Sequence, residues 1–315
     1  MSRRRGICDK KGVPKANKPN FSMPLSTKDA LSHIRRLQIK VSRNVNDLFA
    51  GIYRSAFKGK GLEFEDVREY QPGDDVRSID WNVTARSQTP YIKNFREERE
   101  LTVILMVDIS ASARFSHTPH LKSEWIAEIG ALLAFSAIKN QDKIGLLLFS
   151  DEIELYLRPR KGVKHVLRVI RELLYFQPQH KGTNLKKALA FLGRVQKRQA
   201  ICFLISDFLC ADYSHEINLI AKRHELIAIQ VYDSYETNFP NLGLLTLRDL
   251  ESQQFCLVDT SDANVQKHFQ EKADQRQLAL KHTMEKAKAD LITLHSDESY
   301  TLALQQFFKY RGRKR

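Results

Sequence analysis

Two aspartates stand where chemistry could be done. Asp108 closes the apolar run Leu101–Val107, and Asp207 follows Ala200–Ile205 and Ser206. The first opens a D-x-S-x-S loop, Asp108-Ile109-Ser110-Ala111-Ser112. Between the two aspartates, Gly182-Thr183-Asn184 precedes a helical pattern, with Thr183 expected as its N-cap. Two carboxylates and three hydroxyls are hard oxygen donors. With waters completing an octahedron, such a set suits Mg²⁺ or Mn²⁺, ahead of Ca²⁺ and unlike Zn²⁺. The plainer alternative is that Asp and Ser here only shape the turns that follow strands.

For these groups to meet, the chain must bring two strand ends together. The runs Leu101–Val107, Ile144–Phe149, Ala200–Ile205 and Leu226–Val231 predict buried strands. Ile153–Leu157 alternates like an edge strand, joined to the second strand by the turn Ser150-Asp151-Glu152, and Leu291–Leu294 supplies a last one. Helical spacing appears at Trp125–Leu133, Val163–Leu174 and Leu185–Leu192, then near 262–288 and 299–310. Strands alternating with helices imply right-handed crossovers. The expected fold class is α/β: a three-layer, mostly parallel sheet with helices on both faces, plus a smaller N-terminal α+β segment. In a strand order 3-2-1-4-5-6, the first and fourth strands are neighbours where the order reverses. Asp108 and Asp207 then converge there.

Ahead of this region, residues 1–24 read as a basic tail and Thr27–Ala50 as an amphipathic helix. Gly59–Glu100 is a charged block with a turn at Gln71-Pro72-Gly73-Asp74-Asp75 and a short strand pattern at Tyr91–Phe95.

Two resemblances are carried by these residues. The D-x-S-x-S loop, the later Thr and the later Asp are similar to the metal-ion-dependent adhesion site (MIDAS) of von Willebrand factor type A domains, over roughly residues 101–295. The segments Gly59-Lys60-Gly61-Leu62-Glu63-Phe64, Arg68-Glu69-Tyr70, Pro72-Gly73-Asp74-Asp75-Val76-Arg77, Ile79-Asp80-Trp81 and Ala85-Arg86 resemble the signature of the bacterial domain-of-unknown-function 58 (DUF58) family. In that family the signature directly precedes a von Willebrand A-like region, here residues 101–308, with the signature block and its helix in 25–100. Many relatives carry two membrane helices upstream; this sequence has no such run, so a soluble form is expected. The loop Ala113-Arg114-Phe115-Ser116-His117 also lacks the Ser-Met of many such sites.

The resemblance implies that Asp108, Ser110, Ser112, Thr183 and Asp207 hold Mg²⁺ or Mn²⁺. An open coordination position would then receive an Asp or Glu from a protein partner. It further implies a non-catalytic adaptor or co-chaperone-like protein, whose first-choice partner is a MoxR-type AAA ATPase or its client.

Composition narrows the alternatives. The chain has 315 residues, 42% of them hydrophobic, which is ample for a core, and no apolar run approaches a membrane span. Four scattered cysteines show neither C-x-x-C spacing nor a disulfide framework, so a cytoplasmic setting is expected. The net charge of +14 is concentrated at the ends: residues 1–20 carry +6, residues 309–315 carry +5, and the 288 between them only +3. Nucleic-acid binding through two solvated basic tails is therefore one alternative, without a recognition motif in the body.

A Mg²⁺-dependent phosphohydrolase with Asp108 as nucleophile is the other. That chemistry needs an acid two residues on, and position 110 is Ser. No P-loop motif occurs. Of the remaining features, Arg68, Arg77, Arg86, Asp74, Asp75 and Asp80 are expected to form an ion-pair network locking the block to the sheet. Trp81 is expected as a core anchor. His117-x-x-His120 has ligand spacing but contains Pro119, and Cys202 reads as an apolar filler of a buried strand.

Overall fold

The computed structural model describes residues 47–57, 61–87, 89–98, 100–116, 121–210, 212–238, 240–251, 253–296 and 298–314. Its centre is a six-stranded sheet of β3 (Thr102–Asp108), β4 (Lys143–Phe149), β5 (Ile153–Arg160), β6 (Ile201–Ser206), β7 (Glu225–Tyr232) and β10 (Asp290–His295). Across the sheet the order is β10-β7-β6-β3-β4-β5. All pairings are parallel except the hairpin β4–β5. This is the expected order read from the other edge, with β3 and β6 adjacent and Val107 level with Ile205.

Continuous apolar strands arise because both faces are covered. Along β3, Val103, Leu105 and Val107 face one core, while Ile104 and Met106 face the other. The first core is closed by α3 (Lys122–Lys139), α4 (Val163–Tyr175), α8 (Tyr300–Lys314) and α1 (Asp47–Ala56). Tyr53 and Phe57 stack tilted at 4.9 Å, and Phe57 meets Phe308 edge-on at 5.5 Å, which fixes the N-terminal helix under the sheet. The second core is closed by α5 (Leu185–Val195), α6 (Ser214–Arg223) and α7 (Ala263–Ala287). Where α3 and α4 cross, a Cβ on Gly130 would come within 2.9 Å of Leu173, so glycine permits their close approach.

Two small sheets flank this body. β1 (Gly61–Glu69) and β2 (Tyr91–Glu98) form an antiparallel pair around the short helix α2 (Trp81–Ser87). β8 (Leu244–Arg248) and β9 (Phe255–Asp259) form a hairpin between β7 and α7.

Several expectations need correction. Trp81 is 67% exposed and is no core anchor, because it opens a short helix, Trp81–Ser87, none of whose residues is buried. The ion pairs of that block close on the block itself: Arg68 grips Asp74 with two bonds of 2.8 Å, and Lys93 lies 3.6 Å from Asp80. Asp75 and Asp80 are spent on capping turns, and among the described residues Arg77 and Arg86 have no acidic partner. Residues 309–314 are the last turns of α8 and not a solvated tail, since Arg311 pairs with Glu225 and Asp290 at the strand starts. The tail 1–24, most of the helix expected over Thr27–Ala50, and His117-x-x-His120 lie outside the described residues. Among the described residues no helix is long and apolar enough to cross a membrane.

Candidate functional site

The C-terminal ends of β3 and β6 bring Asp108 and Asp207 side by side. Both are buried, at 2% and 5% exposure. Asp108 Oδ1 accepts from the Ser110 N–H at 3.0 Å, and Oδ2 accepts from the Ser206 hydroxyl at 2.6 Å. Burial, together with the neighbouring charge of Asp207, pushes the Asp108 carboxyl up to about 7 despite these bonds. Asp207 Oδ1 accepts from the Leu209 N–H at 3.2 Å.

The hydroxyls arrive on two loops. Ser110 is fully buried, and its Oγ lies 2.9 Å from that of Ser112. The loop bearing them meets the second loop through the bond from the Ala111 N–H to the Lys181 carbonyl, 2.9 Å. That second loop is fastened from behind. Glu154 Oε1 on β5 accepts from the Gln179 and His180 backbones and from the Ser150 hydroxyl, at 2.9–3.1 Å. Asn184 N–H donates to the Ser150 carbonyl at 2.8 Å. Asn184, and not Thr183, caps α5, accepting from the Lys187 N–H at 3.0 Å. Thr183 is thereby released from capping, and its hydroxyl donates to Glu251 Oε1 at 2.8 Å.

The sequence reading missed four groups. Lys122, at the start of α3, is fully buried, with Nζ 3.2 Å from Asp207 Oδ2 and 2.5 Å from Glu236 Oε1. Burial alone would pull this ammonium down, but the charges of Asp207 and Glu236 and its bonds to them hold it above the usual lysine range. Glu236 is raised by burial, Lys122 offsetting that only in part because its single charge is shared with Asp207. The other oxygen of Glu236 accepts from the Asp233 N–H at 3.2 Å, closing a capping box that D-x-x-E spacing could have signalled. Ser206 and Glu251 are the third and fourth. A lone lysine among 51 basic residues carries no such signal, and neither does a glutamate in a polar hairpin tip.

The donor set fits a small, hard divalent cation. Each carboxylate keeps lone pairs beyond its present bonds, and each hydroxyl has two lone pairs against one proton. Asp108, Asp207, Glu236 and Lys122 sum to a formal charge of −2 in a buried setting, which a divalent ion would neutralise. Among the described residues no group of three or more His, Cys, Asp or Glu is arranged to hold a metal. Two residues after Asp108, where an Asp nucleophile's partner acid would stand, position 110 presents a hydroxyl paired with Ser112.

The family model "Protein of unknown function DUF58" matches residues 66–279 of this chain. A Mycobacterium tuberculosis relative, "Uncharacterized protein Rv1480", is 28% identical over 286 residues, covering 89% of each chain. Among solved structures, BatB from Bacteroides thetaiotaomicron aligns at 15% identity and a TM-score of 0.45, covering 68% of this chain and 99% of its own. An aerotolerance-related membrane protein from Bacteroides fragilis aligns at 13% and 0.46, covering 68% of this chain and 100% of its own. Likenesses at these scores are too distant to carry function.

Proposed function

The chain belongs to the DUF58 family, and from that premise we propose that it is a non-catalytic, divalent-metal-dependent protein-interaction protein. Asp108, Ser110, Ser112, Thr183 and Asp207 would hold Mg²⁺ or Mn²⁺ in a von Willebrand A-like site. The observation that carries this reading is the buried pair Asp108 and Asp207 at adjacent strand ends, with the Ser206 hydroxyl on Asp108 and one lysine charge for three carboxylates. A bound cation supplies positive charge and a coordination position open to a partner's carboxylate.

The chain's own residues have separable tasks. Ser206 orients Asp108, Lys122 steadies Asp207 while offsetting part of its charge, and Glu154 sets the loop that carries Thr183. The partner would be a protein presenting an exposed Asp or Glu. In keeping with the family resemblance, the first choice is a MoxR-type AAA ATPase or its client, in the cytoplasm.

Calorimetric titration of the full chain with Mn²⁺ tests the reading, with Asp108→Ala as control. Saturable binding by the wild type, weakened at least about tenfold in the variant, is the expected result. A folded wild type that takes up no Mn²⁺ overturns it. Turnover of p-nitrophenyl phosphate that disappears in Asp108→Asn would instead establish the phosphohydrolase reading.

A further inference from the structure

One polar side chain interrupts an otherwise apolar strand. Along β7, Leu226, Ala228 and Gln230 point to the same face, and the first two pack into the second core. Gln230 comes next, paired with Ser206 of β6 on one side and Thr293 of β10 on the other, so its amide lies where that core ends. The residue is 8% exposed, and its Oε1 is buried without a hydrogen bond among the described residues. An acceptor taken from water in this way lowers stability, which a methionine of similar shape would not do. Gln230 lines a cleft of about 30 Å³ between the ends of β6 and β7 and the helix α7. Asp207 and Glu236 supply its other buried acceptors, and Leu209 and Leu280 its apolar wall. The two carboxylates share one ammonium, that of Lys122, at 3.2 and 2.5 Å, which leaves one negative charge over.

We propose that this cleft binds the ammonium group of a lysine side chain from a protein partner, with Gln230 Oε1 as an acceptor and Asp207 and Glu236 as the countercharge. The inward-facing atoms accept hydrogen bonds, so the ligand must donate them, and the excess negative charge selects a cation. A space of about 30 Å³ is the share of one water molecule, enough for an ammonium and too small for the broad planar guanidinium of arginine. The leucines give the methylene stem an apolar surface to lie on. From α7, Arg276 and Gln277 line the same cleft with groups that donate to main-chain carbonyls, which favours a lysine within a polypeptide over a free amine. The inference goes beyond the metal reading and does not need it, because neither Gln230 nor Glu236 is among the five proposed metal donors.

The test is a saturation-transfer NMR titration of the full chain with Nα-acetyl-lysine-N-methylamide, with the arginine and norleucine analogues as controls. EDTA in the buffer removes divalent ions, so the outcome is read separately from the metal site. The lysine probe should bind saturably in the millimolar range, and both analogues at least about tenfold more weakly. In Gln230→Met the lysine probe should also bind about tenfold more weakly, while the thermal midpoint without probe should rise by about 2–4 °C, because a buried acceptor without a donor has been removed. Absence of saturable binding by the wild type overturns the proposal, as does equal binding of the lysine and norleucine probes. A midpoint that falls in Gln230→Met also overturns it, since Oε1 would then already have a donor in a trapped water.

Discussion

The strand-end site and the β1–β2 block draw on the same residue types in opposite surroundings. At the site, Lys122 has 0% side-chain exposure and serves two carboxylates. In the block, Arg68 is 43% exposed and makes a bidentate pair with Asp74 whose geometry is the better of the two. Geometry is not what decides their weight. Water around Arg68 and Asp74 solvates either partner when the other is removed, so the pair adds little. At Lys122 no water replaces a lost partner, and removing one charge strands the others in a medium that solvates them poorly. The arrangement at the strand ends is therefore rigidly specified, while the block is held mainly by its own hairpin and turns.

The comparison is most exposed to failure at Lys122. Lys122→Met keeps the apolar bulk but leaves Asp207 and Glu236 without their cation, and should destabilise the protein by about 3–5 kcal/mol in urea unfolding at neutral pH. A loss within about 0.5 kcal/mol of zero would mean that water enters the site and that the contrast with the block is false.

Asp142 sharpens the contrast, being a buried carboxylate at the opposite end of the sheet. It accepts the Leu101 N–H at 3.0 Å, while its Oδ2 is buried without a bond among the described residues. Burial pushes it up to about 7, against the pull of the Leu101 N–H and Lys161, with Glu100 adding to the rise. Its folded value lies above its unfolded one, so the folded state binds more protons between about pH 4 and 7. Its contribution to stability therefore falls as pH rises through that window. Asp142→Asn should remove the fall, giving a protein about 1–3 kcal/mol more stable than wild type at pH 8 and nearly equal to it at pH 4. Chemical unfolding at the two pH values reads this directly, and a gain independent of pH would assign the effect to packing.

At the small end, Arg68→Ala and Trp81→Ala should leave the thermal midpoint at the wild-type value, since both side chains face water. A clear drop in either would show that the block is locked onto the body after all. An unchanged midpoint leaves Trp81 as a solvent-facing residue without a structural duty in this chain.

Much of the architecture was legible in the residue order. Short unbroken apolar runs rich in β-branched residues, such as Val103–Val107 and Ile201–Ile205, fit strands covered on both faces, and the helical spacing between them implies crossovers. That logic also located Asp108 and Asp207, because the polar residue ending a buried strand marks where the chain regains solvent. It failed at Trp81. Aromatic bulk raises the expectation of burial, but two strands and a short helix offer no second layer to bury it against. It failed again at residues 309–314, where basic composition outweighed the i, i+4 continuity of the final helix.

The sequence by itself determined the order of strands and helices, the two covered faces of the sheet, and the positions of Asp108 and Asp207 at adjacent strand ends. Each of these follows from local periodicity or from residue chemistry. Only the tertiary structure decided that Lys122 neutralises part of the site, that Asn184 and not Thr183 caps α5, and that Glu251 closes over Thr183. The physical reason is distance along the chain. Lys122 meets Asp207 and Glu236 across 85 and 114 residues, and Thr183 meets Glu251 across 68. No periodic signal spans such separations, and a charged side chain in sequence looks the same whether water or a buried carboxylate awaits it.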